Sequence, residues 1–204
     1  ADPDLWLKPM VSETGEEYYS YVLCYVDDVL VIHHDAMSVL NKIDKYLLMK
    51  PTSKGDPGMY LGVKLKYTKT ANGVMAWAMS PSKYVQEAVA NCKKHIDNHY
   101  DGRYTMPKNA PNAFLYSYDP DMDVSPPCSP DQASYYMSII GVLRWIVELG
   151  RIDIATEVSL LSSYLAYPRE GHLEAAVHVM AYLRQKHNSR LVLDPCYPEI
   201  DRTT

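Results

Sequence analysis

Long apolar runs are missing from this sequence. None approaches the ~20 residues that a membrane-crossing helix needs, and no stretch has the order of charged, apolar and small residues that marks a signal peptide. The four cysteines, Cys24, Cys92, Cys128 and Cys196, include no Cys-x-x-Cys pair. Such scattered cysteines suit free thiols in a reducing compartment. Cys92, His95 and His99 share helical spacing, a weak pattern for one metal ion. No glycine-rich phosphate loop appears, no nucleophile and base stand at a telling spacing, and no internal repeat is visible. Phenylalanine is almost absent, at one residue against 18 tyrosines. Tyrosine suits half-buried strands and wet grooves.

What remains is ordinary globular composition, 47% hydrophobic and 22% charged, which excludes disorder. The net charge of −5 hides a strong segregation. Residues 1–41 carry one Lys against eight Asp and Glu, whereas residues 42–108 carry twelve Lys and Arg against five Asp and Glu. Residues 109–183 are acidic again, with nine Asp and Glu against three Arg. A basic block between acidic ones suits either a phosphate-tracking face or an unevenly charged solvated surface.

The pattern predicts an α+β fold. Residues 17–34 read as two strands meeting at Asp27-Asp28. Asp35 caps a helix with Val39, Leu40, Ile43 and Leu47 on one face, ending near Pro51. Residues 51–58 form a Pro- and Gly-rich loop. Met59, Leu61, Val63, Leu65 and Tyr67 alternate as one half-buried strand. Asn72-Gly73 is a hairpin turn, and Val74 to Met79 return. Ser80-Pro81 starts a helix, with the hydroxyl as cap and Pro at the first position; its apolar stripe is Val85, Ala88, Val89, Cys92 and Ile96. Residues 100–128 are irregular, and a loop of that length is functional, a linker, or mobile. Ser129-Pro130-Asp131-Gln132 forms a capping box opening a helix that runs to Gly150. Two more helices follow, about 153–167 and 169–187; the second buries Leu173, Ala176, Val177, Met180 and Leu183. Residues 191–193 open a further strand. His33 and His34 sit at the solvent end of their strand, and His172 and His178 are packed or polar-face residues.

Asp27 and Asp28 lie between two β-prone apolar runs, in VLCYVDDVLVI. An unpaired carboxylate costs several kcal/mol to bury, so a hairpin must lift both clear of the core. On the residues alone, the pair is either a polar turn or a seat for a divalent cation, which takes carboxylates, water and substrate phosphates together.

The surroundings carry a resemblance. CYVDDVLVIHHD resembles the Tyr-x-Asp-Asp strand-turn-strand of reverse transcriptases, more narrowly those of copia-type retrotransposons. In order along the chain, ADPDLWLKP…YYSYVL resembles the family's preceding segment, MYLGVKL its primer-grip hairpin, and SPSKYVQEAV its first thumb helix. The stretch YYMSIIGVLRW…MAYLR resembles its helical connection toward ribonuclease H.

The resemblance implies an RNA-directed DNA polymerase acting by two-metal phosphoryl transfer with Mg2+ or Mn2+. Asp27 and Asp28 would be catalytic metal ligands, with Tyr25 and Val26 near the primer end and template. Tyr60, Leu61 and Gly62 would hold the primer terminus. Lys50 or Lys54 would approach the pyrophosphate, and Lys83, Lys93 and Lys94 the backbone phosphates. The implied domains are 1–79, the C-terminal part of a palm; 80–187, thumb and connection; and 188–204, the start of a linker. The implied partners are an RNA or DNA template-primer, a deoxynucleotide and the rest of a Pol polyprotein, with no membrane. The implied setting is cytoplasmic, in virus-like particles, with a nuclear phase.

The sequence also departs from the family. It opens on ADPDLW without a Met and reads as a piece of a longer chain, without the earlier palm Asp, the nucleotide segment or the fingers. The isolated chain is therefore expected to be inactive. Family members commonly read Arg-Pro-Asp-Ile where Arg151-Ile152-Asp153-Ile154 stands here, which should soften a helix start. Residues 100–128 have no counterpart. The competing readings are a non-catalytic nucleic-acid-binding remnant of a retrotransposon and a structural protein whose Asp-Asp is only a turn.

Overall fold

The computed structural model describes residues 2–195; Cys196 and the end of the expected linker, 196–204, lie outside the described residues. The fold is α+β, with antiparallel sheets and α-helices. It divides into two compact units, Ala1–Leu61 and Gly62–Thr204. The hairpin grouped with residues 1–79 on sequence therefore belongs to the second unit.

The first unit is a three-stranded antiparallel meander of β1 (Leu5–Val11), β2 (Glu17–Tyr25) and β3 (Asp28–Ile32). Its register runs Leu5↔Leu23↔Leu30 and Leu7↔Tyr21↔Ile32. Helix α1 (Ala36–Asp44) follows, and Asp35 caps it as expected, its carboxylate accepting from the Ser38 N–H at 3.1 Å. The helix stops at Asp44, well short of Pro51. There the Asp44 carboxylate accepts from the Met49 N–H at 2.7 Å and from Lys54 Nζ at 2.7 Å, which ties down a non-helical exit. Leu47, expected on the helix face, is exposed. Residues Met59–Tyr60 (β4) end the unit. Among the described residues of this unit, only Ser20 and Leu40 are buried. Such a thin core makes a small unit marginal by itself.

In the second unit, β5 (Val63–Lys69), β6 (Met75–Ser80) and β7 (Leu191–Leu193) pair antiparallel in that order. The expected single strand from Met59 is broken at Leu61 and Gly62, both at positive φ (50° and 78°). The Asn72-Gly73 turn forms as read, with Gly73 at φ 82° and its N–H on the Thr70 carbonyl.

Helix α2 (Ser82–His99) buries Val85, Val89, Cys92 and Ile96. Its start differs from expectation. Pro81 is the cap, and Ser80 closes β6, its hydroxyl donating to the Ser189 carbonyl at 3.2 Å. The chain just before β7, 109 residues away in sequence, recruits that hydroxyl. Helix α3 (Pro130–Glu148) has the full expected capping box between Ser129 and Gln132. A short 3-10 turn, Ile152–Ile154, leads into α4 (Ala155–Ser162), shorter than expected. Helix α5 (Glu170–Gln185) is buried nearly all round, as a central helix must be when apolar residues cover every face.

Residues 100–128 carry little regular structure, but they pack as a strap along α5. His172 Nε2 lies 3.1 Å from the Pro120 carbonyl, His178 Nε2 lies 3.1 Å from that of Asn112, and Arg184 donates to that of Pro107 at 2.5 Å. Tyr104, Ala110 and Ala113 are buried. The two histidines are thus packed, as read, and serve to satisfy loop carbonyls.

Candidate functional site

The Asp pair sits on a two-residue hairpin. Tyr25 pairs with Asp28, so the turn residues are Val26 and Asp27, one position earlier than expected. Asp28 opens β3. Both carboxylates are exposed, as burial cost requires. Val26 has φ 55° and is 94% exposed. A β-branched residue in the left-handed region is a true outlier. Its side chain recovers no burial, so nothing in the packing compensates for a strain of about 1–3 kcal/mol.

Tyr60, expected at the primer, is half-buried in the same unit as the pair. Burial pushes its hydroxyl pKa up, and the charges of Asp28, Cys24 and Asp4 add to the effect. Asp28 and Tyr60 therefore share one electrostatic neighbourhood. Asp4, which the sequence reading missed, belongs to it: its carbonyl accepts from the Cys24 N–H at 2.9 Å, continuing the β1–β2 ladder. Its position just before a strand was the available signal. Leu61 is half-buried and Gly62 exposed, and their positive φ values form a bend directly after Tyr60.

The lysines divide. Lys54 is committed to Asp44 at 2.7 Å, and that hydrogen bond leads the causes holding the Asp44 carboxyl below its usual range. Lys50 is exposed, with no partner among the described residues. Lys83, Lys93 and Lys94 lie exposed on α2 in the second unit, and Lys93 is paired with Asp97 one helical turn on. His33 is spent locally, accepting the Asp35 N–H at 2.9 Å on Nδ1.

The helical trio Cys92, His95 and His99 does not make a metal site. Cys92 is buried, which pushes its thiol pKa up to about 11, and His95 is stacked between Tyr135 and His99 at 3.7 and 4.3 Å. Among the described residues, no group of three His, Cys, Asp or Glu side chains can hold a metal ion. Asp27 and Asp28 form no such group either. Their donor type suits a hard cation such as Mg2+, but as a set they are incomplete. No helix of the described residues is long and apolar enough to cross a membrane.

Arg151, in the stretch that departs from Arg-Pro-Asp-Ile, is buried and holds Asp153 with two hydrogen bonds, 2.8 and 2.7 Å. The Tyr182 hydroxyl adds a third to the same carboxylate at 2.9 Å. The Ile152 side chain is 62% exposed and takes no part in this lock.

No family model matches the chain, and no solved structure matches it. Three curated proteins do, two of them transposon proteins. The chain is 30% identical over 166 residues to a putative transposon Ty5-1 protein of Saccharomyces cerevisiae, across 80% of this chain and 48% of that protein. It is 25% identical over 175 residues to a retrovirus-related Pol polyprotein from transposon RE1 of Arabidopsis thaliana, across 85% of this chain and 11% of that one. The chain thus spans about half of the first relative's length and a small part of the second's. Similarity to transposon proteins over at least four fifths of its length supports a retrotransposon Pol origin for this chain.

Proposed function

We propose that this chain is part of a copia-type reverse transcriptase, an RNA-directed DNA polymerase, and that Asp27 and Asp28 belong to its nucleotidyl-transfer site. The observation that carries the reading is the hairpin itself, two solvent-facing carboxylates held on a turn whose Val26 is strained without any packing gain. Uncompensated strain of this kind concentrates at functional sites. The similarity to transposon proteins supports the same reading.

In this reading Asp27 contributes a carboxylate to a Mg2+ or Mn2+ centre, and Asp28 assists directly or by shaping the turn. When bound, such cations activate a primer 3′-hydroxyl and stabilise the leaving pyrophosphate. The chain's own residues do the positioning. Tyr25 and Val26 border the carboxylates on the primer and template side. Tyr60 and the Leu61-Gly62 bend steady the primer terminus. Lys83, Lys93 and Lys94 meet backbone phosphates, contacts that position without reading sequence. Lys50 remains available to the pyrophosphate, and Lys54 is not, being held by Asp44. Among the described residues no third acidic donor joins Asp27 and Asp28, and in this reading the remaining Pol segments supply one. Template-primer, deoxynucleotide and the remaining Pol segments, fingers and ribonuclease H included, are the partners. The setting is the cytoplasm and virus-like particles, with a nuclear phase.

The test is primer extension by the intact polyprotein. Asp27→Asn is expected to abolish incorporation while template-primer binding persists, and the 204-residue chain alone is expected to incorporate nothing. Full activity of Asp27→Asn would refute the assignment. The incomplete donor set favours one second reading, a non-catalytic nucleic-acid-binding remnant. It predicts salt-dependent template-primer binding by the chain alone, unaffected by Asp27→Ala, and no extension by the intact protein.

A further inference from the structure

The strap and α5 line a half-open cavity of about 360 Å³ that the polymerase reading does not use. Tyr104, Phe114 and Tyr118 line it, and Phe114 and Tyr118 meet edge to face at 5.7 Å. The two tyrosine hydroxyls are already engaged. Tyr104 accepts from Gln132 at 2.7 Å and Tyr118 donates to Asp123 at 2.8 Å. Tyr104 is buried, so the half-buried rings of Phe114 and Tyr118, not the hydroxyls, are what a ligand would meet.

The charges at the rim are not balanced. Arg103 is paired, its Nη2 donating to both Glu170 carboxylate oxygens at 2.6 and 2.7 Å. His178 is turned to the Asn112 carbonyl. Glu174 also lines the cavity, is exposed, and has no hydrogen bond or ion pair among the described residues. Residues 109–183, which build most of the walls, carry nine Asp and Glu against three Arg.

Aromatic rings beside an unpaired carboxylate are the chemistry of an organic cation with an apolar stem. The ring quadrupole attracts the charge, the carboxylate pairs with it, and the stem fills apolar volume. We infer that this cavity binds an alkyl-guanidinium or alkyl-ammonium group, as an arginine or lysine side chain or a free polyamine carries it. The neighbouring cavities along α2 and α3, which also set tyrosines beside Glu87 or beside Asp101 and Asp131, are more open to solvent.

Phe114 is the chain's single phenylalanine. Incorporating 4-fluorophenylalanine therefore gives one fluorine resonance, in the wall of the cavity. The full chain is titrated with N-acetyl-arginine amide, with spermidine, and with N-acetyl-citrulline amide, the neutral isostere of the first. At least one cation is expected to shift the resonance saturably, with citrulline bound about tenfold more weakly. Glu174→Gln, an exposed change that leaves the fold alone, is expected to weaken the cation by a similar factor and leave citrulline unaffected. The tighter of the two cations identifies the source, side chain or polyamine. The inference is overturned if neither cation shifts the resonance, if citrulline binds as well as arginine, or if Glu174→Gln changes nothing.

Discussion

Gly171, in the first turn of α5, and Asp123, in the strap, are so closely apposed that a Cβ on Gly171 would overlap the Asp123 carboxylate and lie 2.8 Å from its Cγ. The carboxylate cannot easily retreat. It accepts the Tyr118 hydroxyl at 2.8 Å and the Ser125 N–H at 2.8 Å. Ser125 in turn takes the Gly171 N–H on its hydroxyl at 2.8 Å. Glycine is required here by close approach, not by backbone angle.

Gly171→Ala is therefore expected to destabilise the second unit by about 1–3 kcal/mol, the usual cost of overpacking. The loss should fall on the strap first. Hydrogen exchange of the Ser125 amide is expected to accelerate more than that of the α3 core amides, measured on the same sample.

Asp153 gives a pH signature. Burial works to raise its pKa. The Arg151 hydrogen bonds and charge, with the Tyr182 hydroxyl, outweigh burial and hold the carboxyl below its ordinary value. A depressed folded-state pKa contributes stability that is present above the unfolded value near ~3.9 and lost as pH falls through the folded value. Asp153→Asn is expected to flatten the acid limb of stability below about pH 4. It should also lower stability at neutral pH, because Arg151 remains buried without its counterion. Denaturant midpoints measured from pH 2 to 7 check both effects.

These contacts show what a sequence can and cannot reveal. The Ser129–Gln132 capping box was legible because every partner lies within three residues. The Asp27–Asp28 hairpin was legible for the same reason, with an error of one residue because Val26, a poor turn former, takes the left-handed position. The end of α1 was not legible. Leu47 continues the helical spacing, but Asp44 captures Met49 and Lys54 and turns the chain away. Ser80 reads as a helix cap, and only the fold supplies Ser189 as its partner. Residues 100–128 look like a free loop because their anchors His172, His178 and Arg184 stand 52 to 77 residues away. Around the candidate site, Asp4 was missed because its place just before a strand says little until strand pairing brings it to Cys24 and Tyr60.

Val26 offers a trade between stability and function. A left-handed L-residue costs about 1–2 kcal/mol, and glycine avoids this at an entropic cost of roughly 0.5–1. Val26→Gly is thus expected to stabilise the first unit modestly, by up to about 1 kcal/mol. In the intact polyprotein the same change is expected to reduce primer extension. Urea denaturation of the variant chain and extension by the variant polyprotein read the two sides separately.

Whether the hairpin acids hold a cation can be measured on the chain itself. With Mn2+ added at millimolar levels, paramagnetic broadening in the amide spectrum is predicted to centre on Val26, Asp27, Asp28 and Val29, and to disappear in the Asp27→Asn, Asp28→Asn double variant. Broadening that is spread evenly over the acidic surface, or that survives in the double variant, would contradict the account.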